Sequence, residues 1–214
     1  MIRESFIACL QSRLTKPLPG ILAQARLAPP THPGRLTSVP PGARAGSVLI
    51  LLFPAQDGIL QTVFIRRPNY NGVHSGQISF PGGKPETSDG SLYETALREA
   101  FEEVGILPGN VNYLGQLSPL YIPPSRFLVT PFVGYSATQP LWIADPLEVD
   151  EIITLRINDL ISEDCLNQLT ISVPGTGSIQ VPCFTLQNVQ IWGATAMILS
   201  EFLEIFQECL HSGL

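Results

Sequence analysis

Two kinds of hydrophobic pattern alternate along the chain. SVLILLF, Ser47–Phe53, is an unbroken β-branched and aliphatic run, and LQTVFIRR, Leu60–Arg67, follows it across the turn-forming PAQDG. Such a pair predicts a hairpin. ISF before Pro81, VNYLGQL from Val111, FLVTPFVGY from Phe127 and EIITLRI from Glu151 continue the strand-rich pattern. The segment SLYETALREAFEEV, Ser91–Val104, has a helical period instead. Ser91 and Glu94 suit a capping box and Gly105 a C-cap. At ~100° per residue, Leu97, Ala100, Phe101 and Val104 fall on one side, with Glu99, Glu102 and Glu103 almost opposite. One packed face and one carboxylate face are expected. A last helix is predicted over about Gly193–Cys209, with Met197, Ile198, Phe202, Ile205 and Phe206 turned to the core. At the other end, Ile2–Leu14 suits a short amphipathic helix. Pro17, Pro19, Pro29, Pro30, Pro33, Pro40 and Pro41 then impose an extended arm, because proline fixes φ and removes amide donors. The organisation expected is an arm over residues 1–44 and one domain over 45–214.

Composition narrows the class. The chain has 214 residues, 44 % of them apolar and 14 % charged, which suits a globular domain. A net charge of -6 without any Lys/Arg cluster argues against nucleic-acid binding, which works by neutralising phosphates. No apolar run approaches ~18 residues and no signal peptide is indicated, so neither membrane insertion nor export is expected and the location expected is cytoplasmic. Cys9, Cys165, Cys183 and Cys209 lack metal-site or disulfide spacing and read as free thiols.

Charge placement changes the picture more. Like charges one helical turn apart repel, yet Glu99, Glu102 and Glu103 are crowded onto one face. The paired glycines of Phe80–Gly83 end a strand just before, and glycine permits a tight turn and close approach of backbone to a ligand. A strand, a Gly-Gly loop and a helix bearing hard oxygen donors make a site for Mg²⁺, usually shared with substrate phosphates. Arg66 and Arg67 follow a strand, and guanidinium groups clamp phosphate bidentately. Tyr121 and Arg126 lie in a proline-rich loop as further contacts for an adenine or a phosphate. His74 reads as a structural histidine.

Arg98-Glu99-Ala100-Phe101-Glu102-Glu103-Val104-Gly105-Ile106 resembles the end of the box that defines the Nudix family, with Gly83 as its opening glycine. The stretch from Gly83 to Arg98 is one residue longer than the usual box. That insertion, together with Glu86 and Asp89, is similar to the coenzyme A pyrophosphatase branch. Arg67, Gly76 and Phe80–Gly83 fit that branch's upstream signature, whereas Val63–Ile65, Pro68 and Gly72 depart from it. PLPG at 17–20, Val129–Pro131 and Ile191–Gly193 also resemble the branch. The resemblance implies an α/β/α sandwich with a mixed sheet and a loop-helix-loop box. It implies Mg²⁺ or Mn²⁺ held by Glu99, Glu102 and Glu103, with Glu102, Glu103, Arg98 and one further acid as the catalytic set. Glu151 is the first choice for that acid, with Asp150 or Glu148 behind it. Arg66, Arg67, Gly82, Gly83 and Arg126 are the expected substrate contacts. The expected reaction is hydrolysis of coenzyme A or its thioesters to 3′,5′-ADP and 4′-phosphopantetheine or its acyl form. The alternatives are another nucleoside diphosphate derivative, such as ADP-ribose or a dinucleotide, and a non-catalytic nucleotide-binding domain. The partner expected is a small nucleotide, and a homodimer is left open.

Overall fold

The computed structural model describes residues 4–30, 39–68, 76–173 and 177–212. Helix α1 (Glu4–Leu14) is followed by a helical turn, α2 (Ile21–Gln24), which runs into a 3-10 turn at Ala25–Leu27. Strands β1 (Arg44–Pro54) and β2 (Leu60–Arg66) form the expected hairpin. Two short strands, β3 (Ile78–Ser79) and β4 (Gly82–Gly83), lead to α3 (Leu92–Val104). Next come β5 (Asn112–Gln116), β6 (Leu120–Ile122), β7 (Phe127–Tyr135) and β8 (Glu151–Arg156). The turn α4 (Ile157–Leu160), strands β9 (Leu166–Val173), β10 (Gly177–Leu186) and β11 (Val189–Trp192), and helix α5 (Gly193–His211) complete the described chain.

The main sheet is mixed, because β1 lies parallel to β7 while its other pairings are antiparallel. β1 and β2 pair only at Leu52–Pro54 with Leu60–Thr62. Beyond those residues the hairpin splays, and the segment from Ile78 to Gly83 enters the gap. Ile78 and Ser79 pair with β2, then Gly82 and Gly83 with Val48 and Ser47 of β1. The Gly-Gly turn is thus built into the sheet.

Both faces of the sheet are covered, which is why β1 reads as an unbroken apolar run. Leu49, Leu51 and Phe53 pack with Ala96, Ala100 and Val104 of α3 on one face. Ile50 and Leu52 join the larger core on the other, which includes Leu10 of α1 and Phe202 and Phe206 of α5. The architecture is the α/β/α sandwich. Each fully buried aromatic ring of α5 contributes roughly 2–3 kcal/mol of transfer free energy.

Several expectations need correction. The arm is not extended throughout: the proline-free stretch between Pro19 and Pro29 coils into α2 and the 3-10 turn. A buried carboxylate holds it there. Glu201 of α5, 0 % exposed, accepts hydrogen bonds from Gly20 N–H (3.1 Å), Gln24 Nε2 (2.8 Å) and Ser118 N–H (3.2 Å). Pro33 lies outside the described residues. The antiparallel meander β9–β10–β11 was not anticipated. Pro182 argues against a strand, yet it sits one residue beyond the last pairing of β10 with β11, where that side of β10 is an edge. The β10–β11 turn is also disguised, since Gln187 and Asn188 both take positive φ without any glycine.

Candidate functional site

The acidic helix starts and stops where its caps direct. Ser91 Oγ accepts the Glu94 N–H at 3.2 Å, and Gly105 takes the left-handed conformation (φ 77°) that closes the last turn. Between the caps the faces are not as the helical wheel predicts. Phe101 is 47 % exposed, while Glu103 is 2 % exposed. The cause is the Gly-Gly turn, which folds over the C-terminal half of α3. Gly82 donates its N–H to Glu103 Oε2 at 2.8 Å. Gly82 has no room for a side chain, and one on Gly83 would displace the Glu99 carboxylate. A β-carbon on Gly82 would lie 2.2 Å from the Ser47 carbonyl oxygen, and one on Gly83 would lie 2.4 Å from the carboxyl carbon of Glu99.

Under that turn the carboxylates of Glu99, Glu103 and Glu148 converge, with one oxygen of each within 4.8 Å of the others. Glu148 comes from the segment beside the C-terminus of α3, which Asp145 N–H ties to the Glu103 carbonyl at 3.2 Å. Burial pushes the Glu103 carboxyl up to about 8, against the Gly82 hydrogen bond and the Arg67 guanidinium, which favour the charged form. Burial raises Glu99 as well. Arg67 is the nearby cation: one of its nitrogens lies 3.9 Å from Glu103 Oε1, and Nε donates to Ser79 Oγ at 3.3 Å. Three hard oxygen donors held this close, with the most buried disfavoured as an anion, fit a divalent cation.

Arg98 holds the loop before the helix. Its guanidinium donates to Asp89 at 3.0 and 3.1 Å, to the Lys84 carbonyl at 2.9 Å, to Glu99 at 3.1 Å and to Glu102 at 2.8 Å. That contact holds the Asp89 carboxyl well below the usual carboxylate range. Asp89 in turn accepts from Glu86 N–H and Thr95 Oγ1, both at 2.9 Å. Residues 84–89 are thereby fastened to α3.

The remaining expected residues are distributed unevenly. Glu102 is on Arg98 rather than in the carboxylate trio. Glu151 is also outside the trio: it pairs with Arg66 at 2.8 Å across β8 and β2. Glu148, behind Glu151 in the sequence reading, is the acid that reaches Glu99 and Glu103. Nothing in the string LEVDEIITL distinguishes the two, because their difference lies in how the turn before β8 folds. Tyr121 is buried, and exposed Arg126 sits in the β6–β7 turn at φ 58°. His74 and Gly72 lie outside the described residues.

A model of the NUDIX domain family matches residues 43–164, more than half of the chain. The chain belongs to the Nudix family. It is 32 % identical over 175 residues to a probable nudix hydrolase of Schizosaccharomyces pombe, covering 81 % of this chain and 59 % of that protein. It is 37 % identical over 134 residues to an uncharacterised Nudix hydrolase of Photorhabdus laumondii, covering 63 % of this chain and 71 % of that one. The chain thus spans less than two thirds of the fission-yeast relative. The fold is similar to that of a MutT protein from Methanosarcina mazei, with a TM-score of 0.51 at 16 % identity over 80 % of this chain and 99 % of that one. Nudix hydrolases act on phosphorus-containing anhydrides and generally use divalent metal ions. Among the described residues of this member, no helix is long and apolar enough to cross a membrane.

Proposed function

We propose that the chain hydrolyses the diphosphate linkage of coenzyme A or its thioesters, releasing 3′,5′-ADP and 4′-phosphopantetheine or its acyl form. The observation that carries the hydrolytic part is the convergence of Glu99, Glu103 and Glu148 beneath Gly82–Gly83, with Arg67 alongside. The coenzyme A part rests on the upstream residues Arg67, Gly76 and Phe80–Gly83 and on the lengthened loop containing Glu86 and Asp89.

In this reading Glu99, Glu103 and Glu148 hold Mg²⁺ or Mn²⁺, and Glu102 joins them by leaving Arg98. A divalent cation there supplies positive charge at the diphosphate oxygens and acidifies water bound to it. Gly82 N–H fixes the orientation of Glu103, and Arg98 that of Glu99. Arg67 binds a phosphate oxygen, and water adds across one P–O bond of the anhydride. Glu148, rather than Glu151, is the acid from outside the box that assists. Arg66 is engaged by Glu151 and contributes to binding only by exchanging that partner.

A hydrolysis panel of coenzyme A, ADP-ribose and a dinucleoside polyphosphate, with Mg²⁺ or Mn²⁺ and product identification by mass spectrometry, tests the reading. Coenzyme A is expected to show the highest kcat/KM, and activity is expected to vanish in EDTA. A higher kcat/KM for ADP-ribose would replace the substrate, and full activity in EDTA would end the mechanism. Glu103→Gln and Glu148→Gln are each expected to lose at least ~10²-fold in kcat, while Glu151→Gln loses less than ~10-fold.

A further inference from the structure

Arg13, Arg26, Arg66, Arg67, Arg98 and Arg156 each sit in an ion pair. The other described cations are Lys16, Arg44, Lys84 and Arg126; Arg44 and Lys84 meet over one aromatic ring, and Arg126 adjoins that ring in the chain. Arg44 Cζ lies 4.3 Å and Lys84 Nζ 5.8 Å from the centroid of the Phe127 ring. Arg126 precedes that ring in the chain, and its carbonyl accepts the Arg44 N–H at 2.8 Å. Arg44, Lys84 and Arg126 are all exposed, while Phe127 is half-buried. The chain carries a net charge of -6, and the segments outside the described residues contain no Asp or Glu, so no acid from them can neutralise the group. Like charges gathered without a counter-charge repel. The face of an aromatic ring offsets only part of that repulsion.

The group flanks the candidate site. Lys84 directly follows Gly83, and its carbonyl is held by Arg98 at 2.9 Å. Gly46 of β1 lies between the two: a β-carbon there would sit 3.2 Å from both the Gly83 carbonyl oxygen and the Phe127 ring. Phe127 packs with the core on the face of the sheet away from α3, so a substrate with its diphosphate under Gly82–Gly83 meets these cations round the end of the sheet where β1 begins.

We propose that Arg44 and Lys84, over the Phe127 ring, form with the adjoining Arg126 a subsite for a phosphomonoester that the substrate carries apart from its diphosphate. A phosphomonoester is close to a dianion at neutral pH, and guanidinium and ammonium groups donate to its oxygens with charge-assisted hydrogen bonds. Resting on the substrate reading above, the group is the 3′-phosphate of coenzyme A. ADP-ribose and dinucleoside polyphosphates have no such group, so the subsite selects among Nudix substrates.

Two measurements separate this inference from the substrate reading. The first is equilibrium binding of 3′,5′-ADP and of 5′-AMP to the wild-type chain, Arg44→Ala and Lys84→Ala. Wild type should bind 3′,5′-ADP at least ~10-fold more tightly than 5′-AMP, and each variant should lose most of that ratio. Lys84→Ala serves as the second variant because Arg44 also donates to the Ser125 carbonyl. Equal affinities in the wild type, no measurable binding of 3′,5′-ADP at millimolar concentration, or an unchanged ratio in both variants would each overturn the subsite. The second is the kcat/KM ratio of coenzyme A to its 3′-dephospho form, which should fall toward one in the variants. Hydrolysis of coenzyme A with no such preference in the wild type defeats the subsite and leaves the substrate reading standing. No hydrolysis of coenzyme A, with Arg44-dependent binding of 3′,5′-ADP, does the reverse.

Discussion

Glu103 is where burial and charge conflict most. Its carboxyl is raised to about 8 from an ordinary 4.5, so between those values the folded chain binds a proton that the unfolded chain lacks. That contribution to stability is complete below about 4.5 and is lost as pH rises through about 8. In EDTA the melting temperature of the wild type should therefore decline across this window. Glu103→Gln keeps an acceptor for Gly82 N–H without the charge, and should gain on the wild type as pH rises toward 8. A steeper decline in the variant would contradict the assignment. Calorimetry of Mg²⁺ binding near pH 7 in buffers of different ionisation enthalpy should reveal released protons, since the cation displaces the one on Glu103. The sequence shows that Glu99, Glu102 and Glu103 are crowded, but not which of them is buried. A helical wheel records angles around an axis, and the Gly82 turn that covers Glu103 comes from a different part of the chain. Glu148 was equally hard to separate from Asp150 and Glu151, because only the fold of the preceding turn distinguishes them.

At the scale of elements, local signals are legible in the sequence and packed ones are not. α3, α5 and the β1–β2 hairpin follow from period and caps in their own residues. The β9–β11 meander and α2 do not, because Pro182, the glycine-free turn and the helical turn after Gly20 depend on neighbours. Glu201 is the clearest such neighbour. Glu201→Ala would leave the donors of Gly20, Gln24 and Ser118 buried without an acceptor, a cost of about 3 kcal/mol or more by denaturant titration. Glu201→Gln should cost less, since an amide oxygen still accepts. Arg98→Ala should act on a different element. Amide exchange across residues 84–90 should accelerate while β9–β11 is unaffected, because that loop loses its ties to α3.

For the whole molecule, a cation that binds only the folded state adds stability by mass action. The melting temperature should climb with Mg²⁺ concentration, by about 2–4 °C per kcal/mol for a chain of this size, and Glu103→Gln should blunt the slope. Equal slopes in the two proteins would remove Glu103 from the ligand set. The central pairing of the sheet sets another property, the order of events during synthesis. β1 lies alongside β7, Arg44 beside Phe127 and Leu52 beside Tyr135, so the middle of the sheet cannot form until Tyr135 has left the ribosome. α3 emerges earlier, and until β7 follows, its cluster with β1 and β2 lacks Phe132. Folding that depends on so distant a pairing is slow, and the waiting chain is open to holdase chaperones. Nascent chains stalled with Tyr135 still inside the exit tunnel should be digested readily by protease, and resistance should appear only in longer ones.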